Sequence, residues 1–224
     1  MEIIAHIETD FPEKFGIPRQ SGLVDNLSRI VFEPKFRDIN AFRGIEGYSH
    51  LWIIWQFSEA VRDNFSPTVH PPRLGGNVQM GVFATRSPFR PNSLGLSSVK
   101  LEKLETDEKN GPVLYVSGAD MLNNTPIYDV KPYLAYTDSH PDAVCGFSDD
   151  VADYKLNVCF PKELLKKLPE EKRSAAIGIL EQDPRPSYIN DSERIYGVAF
   201  SGQNIRFKVD GENLTVTEVD EYKA

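Results

Sequence analysis

Apolar positions in the first part of the chain come in short bursts separated by Gly-, Pro-, Asn- and Asp-rich turns. Ile3 to Ile7, Arg29 to Phe32, Val113 to Val116 and Ile127 to Leu134 therefore read as strands. Ser49 to Phe57 (SHLWIIWQF) is almost continuously apolar and of strand length, which predicts a strand buried on both faces. Periodicity alone also admits a buried helix there. Phe36, Ile39 and Phe42 are spaced for a short helix that Gly44 ends. Gly81 to Ala84 reads as the end of a buried strand. After a polar loop the chain turns at Gly95, resumes as a strand through Val99 and Leu101, and reaches an exposed tip at Glu105 to Gly111. Asn64 to Gly76 and Asp120 to Pro126 read as loops. Many short strands joined by Gly/Pro turns predict a mainly β fold, a barrel or a sandwich, over residues 1–140.

The pattern changes after Ser139-His-Pro141. Pro161 to Leu168 predicts a short helix. Pro169 to Glu181 predicts a second, opened by acids that suit a helix N-terminus and striped by Ala175, Ala176, Ile179 and Leu180. Ile195 to Phe200, Ile205 to Val209 and Leu214 to Val219 follow as strands, the last two joined in a hairpin at Asp210-Gly211. Residues 141–224 thus read as a smaller α+β domain behind the β-rich one.

Composition excludes several classes. No apolar run is long enough to span a bilayer, and MEIIAHIETD carries no basic residue before its apolar ones, so the expected setting is cytoplasmic. Cys145 and Cys159 form no Cys-x-x-Cys pair, and the four histidines lack metal-ligand spacing, so no structural metal is expected. Net charge is −8, yet Arg62 to Lys103 holds six cations against two acids. One basic face on an acidic body is compatible with a specific RNA partner.

The segment Thr85 to Asn92 stands out for chemistry. Pro88 and Pro91 stiffen it, and Arg86 and Arg90 offer planar donor forks suited to carboxylate or phosphate. It reads either as a binding loop or as a solvated turn whose arginines pair with nearby acids. No Gly-x-Gly-x-x-Gly, Walker lysine loop or Gly-x-Ser-x-Gly elbow is present. The residues alone leave the reaction open.

Four blocks carry a resemblance. GVFATRSPFRPNSLGLSSVKLEKL (from Gly81), YSHLWIIWQFSE (Tyr48 to Glu59), GADMLNNTPIYDVKPYLAYTDS (Gly118 to Ser139) and GIPRQSGL (Gly16 to Leu23) closely resemble the TsaA-like (TrmO) family. QDPRPSY (Gln182 to Tyr188) is similar to bacterial members with an extra C-terminal domain. Ser93-Leu94 stand where the family often has Pro-Ile, and Asn123-Asn124 where Asp-Gly is usual.

The resemblance implies a homodimeric methyltransferase that uses S-adenosylmethionine on a β-barrel instead of a Rossmann sheet. Its substrate would be N6-threonylcarbamoyladenosine next to the anticodon of tRNA. Carried over residue by residue, Pro18, Arg19, Gln20, Ser58, Glu59, Arg86, Leu96, Asp120, Met121, Leu122 and Asn123 become cofactor-contact candidates. Arg90, Lys131, Tyr133 and Arg185 become substrate candidates, Arg90 for the threonyl carboxylate. Loss of the acceptor nitrogen's proton would help the transfer, and Asp129 is preferred over Asp120 to take it. A non-catalytic RNA-binding barrel and an adenosyl-ligand sensor are the alternative readings.

Overall fold

The computed structural model describes residues 1–185 and 191–223, so the last part of the QDPRPSY match, residues 186–188, lies outside the described residues. The chain is mainly β. Its strands are β1 (Ala5–Glu8), β2 (Leu27–Phe32), β3 (His50–Gln56), β4 (Thr68–Val69), β5 (Met80–Gly81), β6 (Leu94–Asp107), β7 (Gly111–Ser117), β8 (Thr125–Pro132), β9 (Asn157–Cys159), β10 (Tyr196–Phe200), β11 (Gln203–Asp210) and β12 (Asn213–Glu221). Short helices α1 (Ala135–Asp138), α2 (Lys162–Leu165) and α3 (Arg173–Glu181) join them.

Strands β1-β2-β7-β6-β3-β8 pair in that order and close on themselves, every pair antiparallel. Alternation decides what fills the ring. Leu51, Ile53 and Trp55 of β3 point inward with Ile7, Ile30, Val99, Leu114, Val116 and Ile127. Trp52, Ile54 and Gln56 face outward and are only half-buried. The expectation that 49–57 is buried on both faces is therefore corrected. In a closed antiparallel sheet one face packs the interior and the other meets solvent or a partner.

Other corrections are local. Gly81 ends the two-residue β5, and Val82–Ala84 is a 3₁₀ turn that leaves Phe83 73% exposed instead of continuing a buried strand. Gly95 sits inside β6 opposite Trp55, not at a turn, and a Cβ there would fall 2.2 Å from the indole ring. The glycine lets the ring lie against the strand. Strand β6 runs on to Asp107, so the tip is confined to 108–110. Residues 34–42 form two 3₁₀ turns where one short helix was expected.

The second sheet has the order β10-β11-β12-β9, with β9 parallel to β12. Helix α3 buries Ala175, Ala176, Ile179 and Leu180, the predicted stripe. This core also takes residues from the connection between β1 and β2. Phe11 and Val24 are buried in it, Phe15 and Ile17 pack beside it, and the Phe11 ring lies 5.4 Å from Phe200. Asp10 pairs with Lys172 and accepts Ser201 N–H through its carbonyl. The two cores are thus stitched together by residues 10–24.

Candidate active site

The stitched segment continues into Pro18-Arg19-Gln20, and its path is fixed by a close backbone approach. Gly22 N–H donates to Gly118 O at 2.9 Å. Gly118 holds φ +83°, and a Cβ there would meet the Gly22 backbone at 3.1 Å. The missing Cβ of Gly118 lets these loops touch, and Gly22 supplies a backbone at φ +77°. The contact brings Gln20 and Ser21 beside Asp120.

Asp120 accepts a 2.6 Å hydrogen bond from Ser97 Oγ, and Ser97 Oγ accepts from Trp55 Nε1–H at 2.9 Å. Trp55 and Ser97 are both buried, on the inward faces of β3 and β6. Burial pushes the Asp120 carboxyl up, against the pull of Ser97, its own backbone N–H, the nearby Arg86 charge and the Ser21 N–H. No ion pair neutralises Asp120 among the described residues. Arg86 reaches over the same spot and donates through Nη1 to Gln20 Oε1. Gln20, Arg86 and Asp120, which come from three separate blocks, therefore converge.

The remaining candidates distribute around this cluster. Lys14 Nζ contacts the Glu59 carboxylate and its backbone carbonyl, each at 3.1 Å, tying the 58–60 turn to the 14–20 loop. Ser58 opens that turn. Asn123 Oδ1 accepts Thr9 N–H at 3.0 Å, so the amide at this position braces the loop. Met121 is fully buried in the barrel core, which leaves only its backbone for a ligand, and Leu122 is half-buried beside it.

Leu96, 60% exposed, lies on the outer wall opposite Ile54, which in turn faces Asp129. Asp129 pairs with Lys131 at 2.9 Å and accepts Val130 N–H. Tyr133 packs 5.4 Å from Trp52 on the same wall. Asp129, Lys131 and Tyr133 thus sit on the barrel exterior, while Asp120 sits at the converging loops.

Arg90 Nη1 donates to Thr85 O at 2.7 Å and Val82 O at 3.2 Å, while Nε and Nη2 have no protein acceptor among the described residues. Arg185 is 7% exposed and forks onto Asp183, Nε to Oδ1 at 2.8 Å and Nη2 to Oδ2 at 3.0 Å. Burial works to raise the Asp183 carboxyl, but Arg185 and the Tyr154 hydroxyl outweigh it and hold it low. Arg19 Nη2 donates to the carbonyls of Asp183 and Arg185 at 3.0 and 3.2 Å. A cleft of about 320 Å³ opens between Lys14–Arg19 on one side and Ile179, Gln182, Pro184 and Arg185 on the other. Arg19 ties the two walls together through those carbonyls, and the Arg185–Asp183 pair fixes the wall it reaches.

Sequence reasoning missed Ser97 and Trp55. Their signal was a serine among apolar inward positions of β6, two residues beyond the glycine that pairs with Trp55. Among the described residues, no group of three His, Cys, Asp or Glu side chains could hold a metal ion, and no helix is long and apolar enough to cross a membrane.

Comparison with known proteins gives a consistent set of matches. Residues 6–139 match the tRNA-methyltransferase O N-terminal domain, and residues 153–222 match the TrmO C-terminal domain. A tRNA (adenine(37)-N6)-methyltransferase of Escherichia coli K12 is 38% identical over 217 residues, covering 93% of this chain and 92% of that protein. One from Eikenella corrodens is 43% identical over 164 residues, covering 73% and 92%. A crystal structure of TrmO from P. aeruginosa superposes with a TM-score of 0.79 at 30% identity, covering 98% of this chain and 95% of that one.

Proposed function

The chain belongs to the tRNA-methyltransferase O family, and on that premise we propose that it transfers a methyl group from S-adenosylmethionine to N6 of threonylcarbamoyladenosine next to the anticodon of tRNA. The observation that carries the assignment of the site is Asp120. It is a carboxyl group raised by burial, with no ion pair among the described residues, in a loop cluster that also holds the Arg86 guanidinium. A ligand with its own positive charge and its own carboxylate suits both groups, and S-adenosylmethionine has a sulfonium, an ammonium and a carboxylate. The residues present therefore fit the cofactor.

When bound, the cofactor supplies an electrophilic methyl group for in-line displacement. The protein's work is orientation and charge placement. Asp120, held by Ser97, favours the cationic part of the cofactor. Arg86, held by Gln20, favours its carboxylate. Pro18, Arg19, Ser58, Glu59, Leu122, Asn123 and the Met121 backbone form the surrounding walls, and Leu96 joins them from the outer wall of a second copy. Arg90 reads the threonyl carboxylate with the Nε and Nη2 donors left over from its own loop contacts. Such a pre-set fork makes parallel charge-assisted hydrogen bonds that a lysine cannot.

The acceptor nitrogen must lose a proton as the methyl arrives. Asp129 is the proposed acceptor if the exterior wall of one copy lines the site of another. That arrangement fits a homodimer packed on the half-exposed strip of Trp52, Ile54, Leu96 and Tyr133. The cleft beside Arg19 and Arg185 is assigned to the tRNA body, and the setting is cytoplasmic, where tRNA is found.

Calorimetry and thermal unfolding test the cofactor site. S-adenosylmethionine at a hundredfold excess over its dissociation constant should stabilise the fold by about 2.7 kcal/mol. Asp120→Asn should weaken binding. Absence of binding at millimolar cofactor would remove the methyltransferase reading.

A further inference from the structure

Between β3 and β6 the chain makes an excursion, residues 61–92, that contributes little to either core. It is pinned by the small β4–β5 pairing, by Val82 N–H donating to Pro67 O at 2.9 Å and by Gln79 Nε2 donating to Thr68 Oγ1 at 2.9 Å. Its surface is unusual. Phe83 and Phe65 are 73% and 55% exposed, and their rings stack with centroids 6.2 Å apart and planes 25° from parallel. The Arg62 guanidinium lies 3.6 Å above the Phe89 ring, and that of Arg90 lies 5.8 Å from Phe83. The segment carries four arginines and one acid in a chain of net charge −8. Arg62, Arg86 and Arg90 form no ion pair among the described residues, meeting a ring, an amide and backbone carbonyls instead.

Exposed aromatic rings cost solvation unless something covers them, and guanidinium groups left without carboxylates favour an anionic partner. Flat rings interleaved with arginines, on an otherwise acidic body, match single-stranded RNA, whose bases stack and whose phosphates are negative. Phe83 lies three positions before Arg86, so the patch adjoins the proposed cofactor cluster.

We infer that Phe65, Phe83 and Phe89, with Arg62, form a stacking platform for unpaired bases flanking the target nucleoside in the RNA loop. The inference rests on the RNA-methyltransferase reading but assigns residues that the reading itself does not use. The platform reads base faces and not sequence, because every base presents a π surface to an aromatic ring.

The test is fluorescence anisotropy with a labelled stem-loop RNA carrying a seven-membered single-stranded loop. Phe83→Ala should weaken RNA binding about tenfold, the loss of one stacked base, and Phe83→Trp should retain it, while calorimetric binding of S-adenosylmethionine is unchanged in both. Light scattering run alongside should give the same mass for wild type and variants. Wild-type binding that Phe83→Ala leaves intact would overturn the platform and spare the methyltransferase reading. A change of mass in Phe83→Ala would instead make the patch a self-association surface. No RNA binding by the wild type would remove both.

Discussion

Ser97→Ala is the sharpest probe of the Asp120 cluster, since it removes one oxygen and almost no volume. That oxygen serves a half-buried carboxyl and a buried indole, donating to Asp120 at 2.6 Å and accepting from Trp55 Nε1 at 2.9 Å. A hydrogen bond to a charged group is worth about 1.5–3 kcal/mol net, and a buried N–H left unpaired costs about 1–3 kcal/mol. With partial relaxation, the expected loss of stability at neutral pH is about 2–4 kcal/mol.

The pH dependence has a definite sign. Burial raises the Asp120 carboxyl, so its favourable contribution to folding is complete below the ordinary carboxylate range and is lost as pH rises through the raised value. Ser97 opposes that loss by favouring the ionised form, as do Arg86 and the backbone N–H groups of Asp120 and Ser21. Deleting the hydroxyl therefore makes the loss larger and carries it to higher pH. Urea unfolding should show a gap between wild type and variant that is wide at neutral pH and narrows in acid to the Trp55 contribution alone. An equal gap at both pH values, or no gap, would refute the Ser97–Asp120 coupling.

Gly95→Ala should cost about 1–3 kcal/mol through overpacking against the Trp55 ring, and should shift tryptophan emission as the indole is displaced; unchanged stability in urea would contradict the tight strand–ring contact. Phe11→Ala should destabilise by about 3–5 kcal/mol, although Phe11 lies outside the second sheet in sequence, and thermal unfolding checks it. Arg90→Lys should lower kcat/KM on modified tRNA about ten- to a hundredfold with cofactor affinity unchanged. Equal losses in both would move Arg90 to the cofactor pocket.

Legibility in the sequence followed the range of the interactions. The α3 stripe and the β11–β12 hairpin depend on neighbours a few residues apart, and were readable. Strand β3 was placed correctly, but its burial was misread because Trp52 and Ile54 are apolar outside as well as inside. Gly95 looked like a turn because the ring that requires it is supplied by another strand. The three-residue β9, which pairs in parallel with β12, carries too little pattern to stand out.

The site shows the same division. Resemblance picks out segments, three of which meet at Gln20, Arg86 and Asp120, but it does not supply the contacts each side chain makes. Ser97 and Asp120 are 23 positions apart, and Trp55 is 42 from Ser97, so only the barrel's register brings them together. Nor could residue order reveal that Phe11 and Val24 fill the second core. For that reason a chain cut after Ser139 would leave those side chains uncovered.

The most direct measurement is incubation with tRNA carrying threonylcarbamoyladenosine and methyl-labelled S-adenosylmethionine, followed by mass spectrometry of the nucleosides. The label should appear as one methyl group on N6 of threonylcarbamoyladenosine, and not on tRNA lacking the threonylcarbamoyl group. Label on unmodified adenosine, or none on the modified nucleoside while the cofactor still binds, would contradict the proposed reaction.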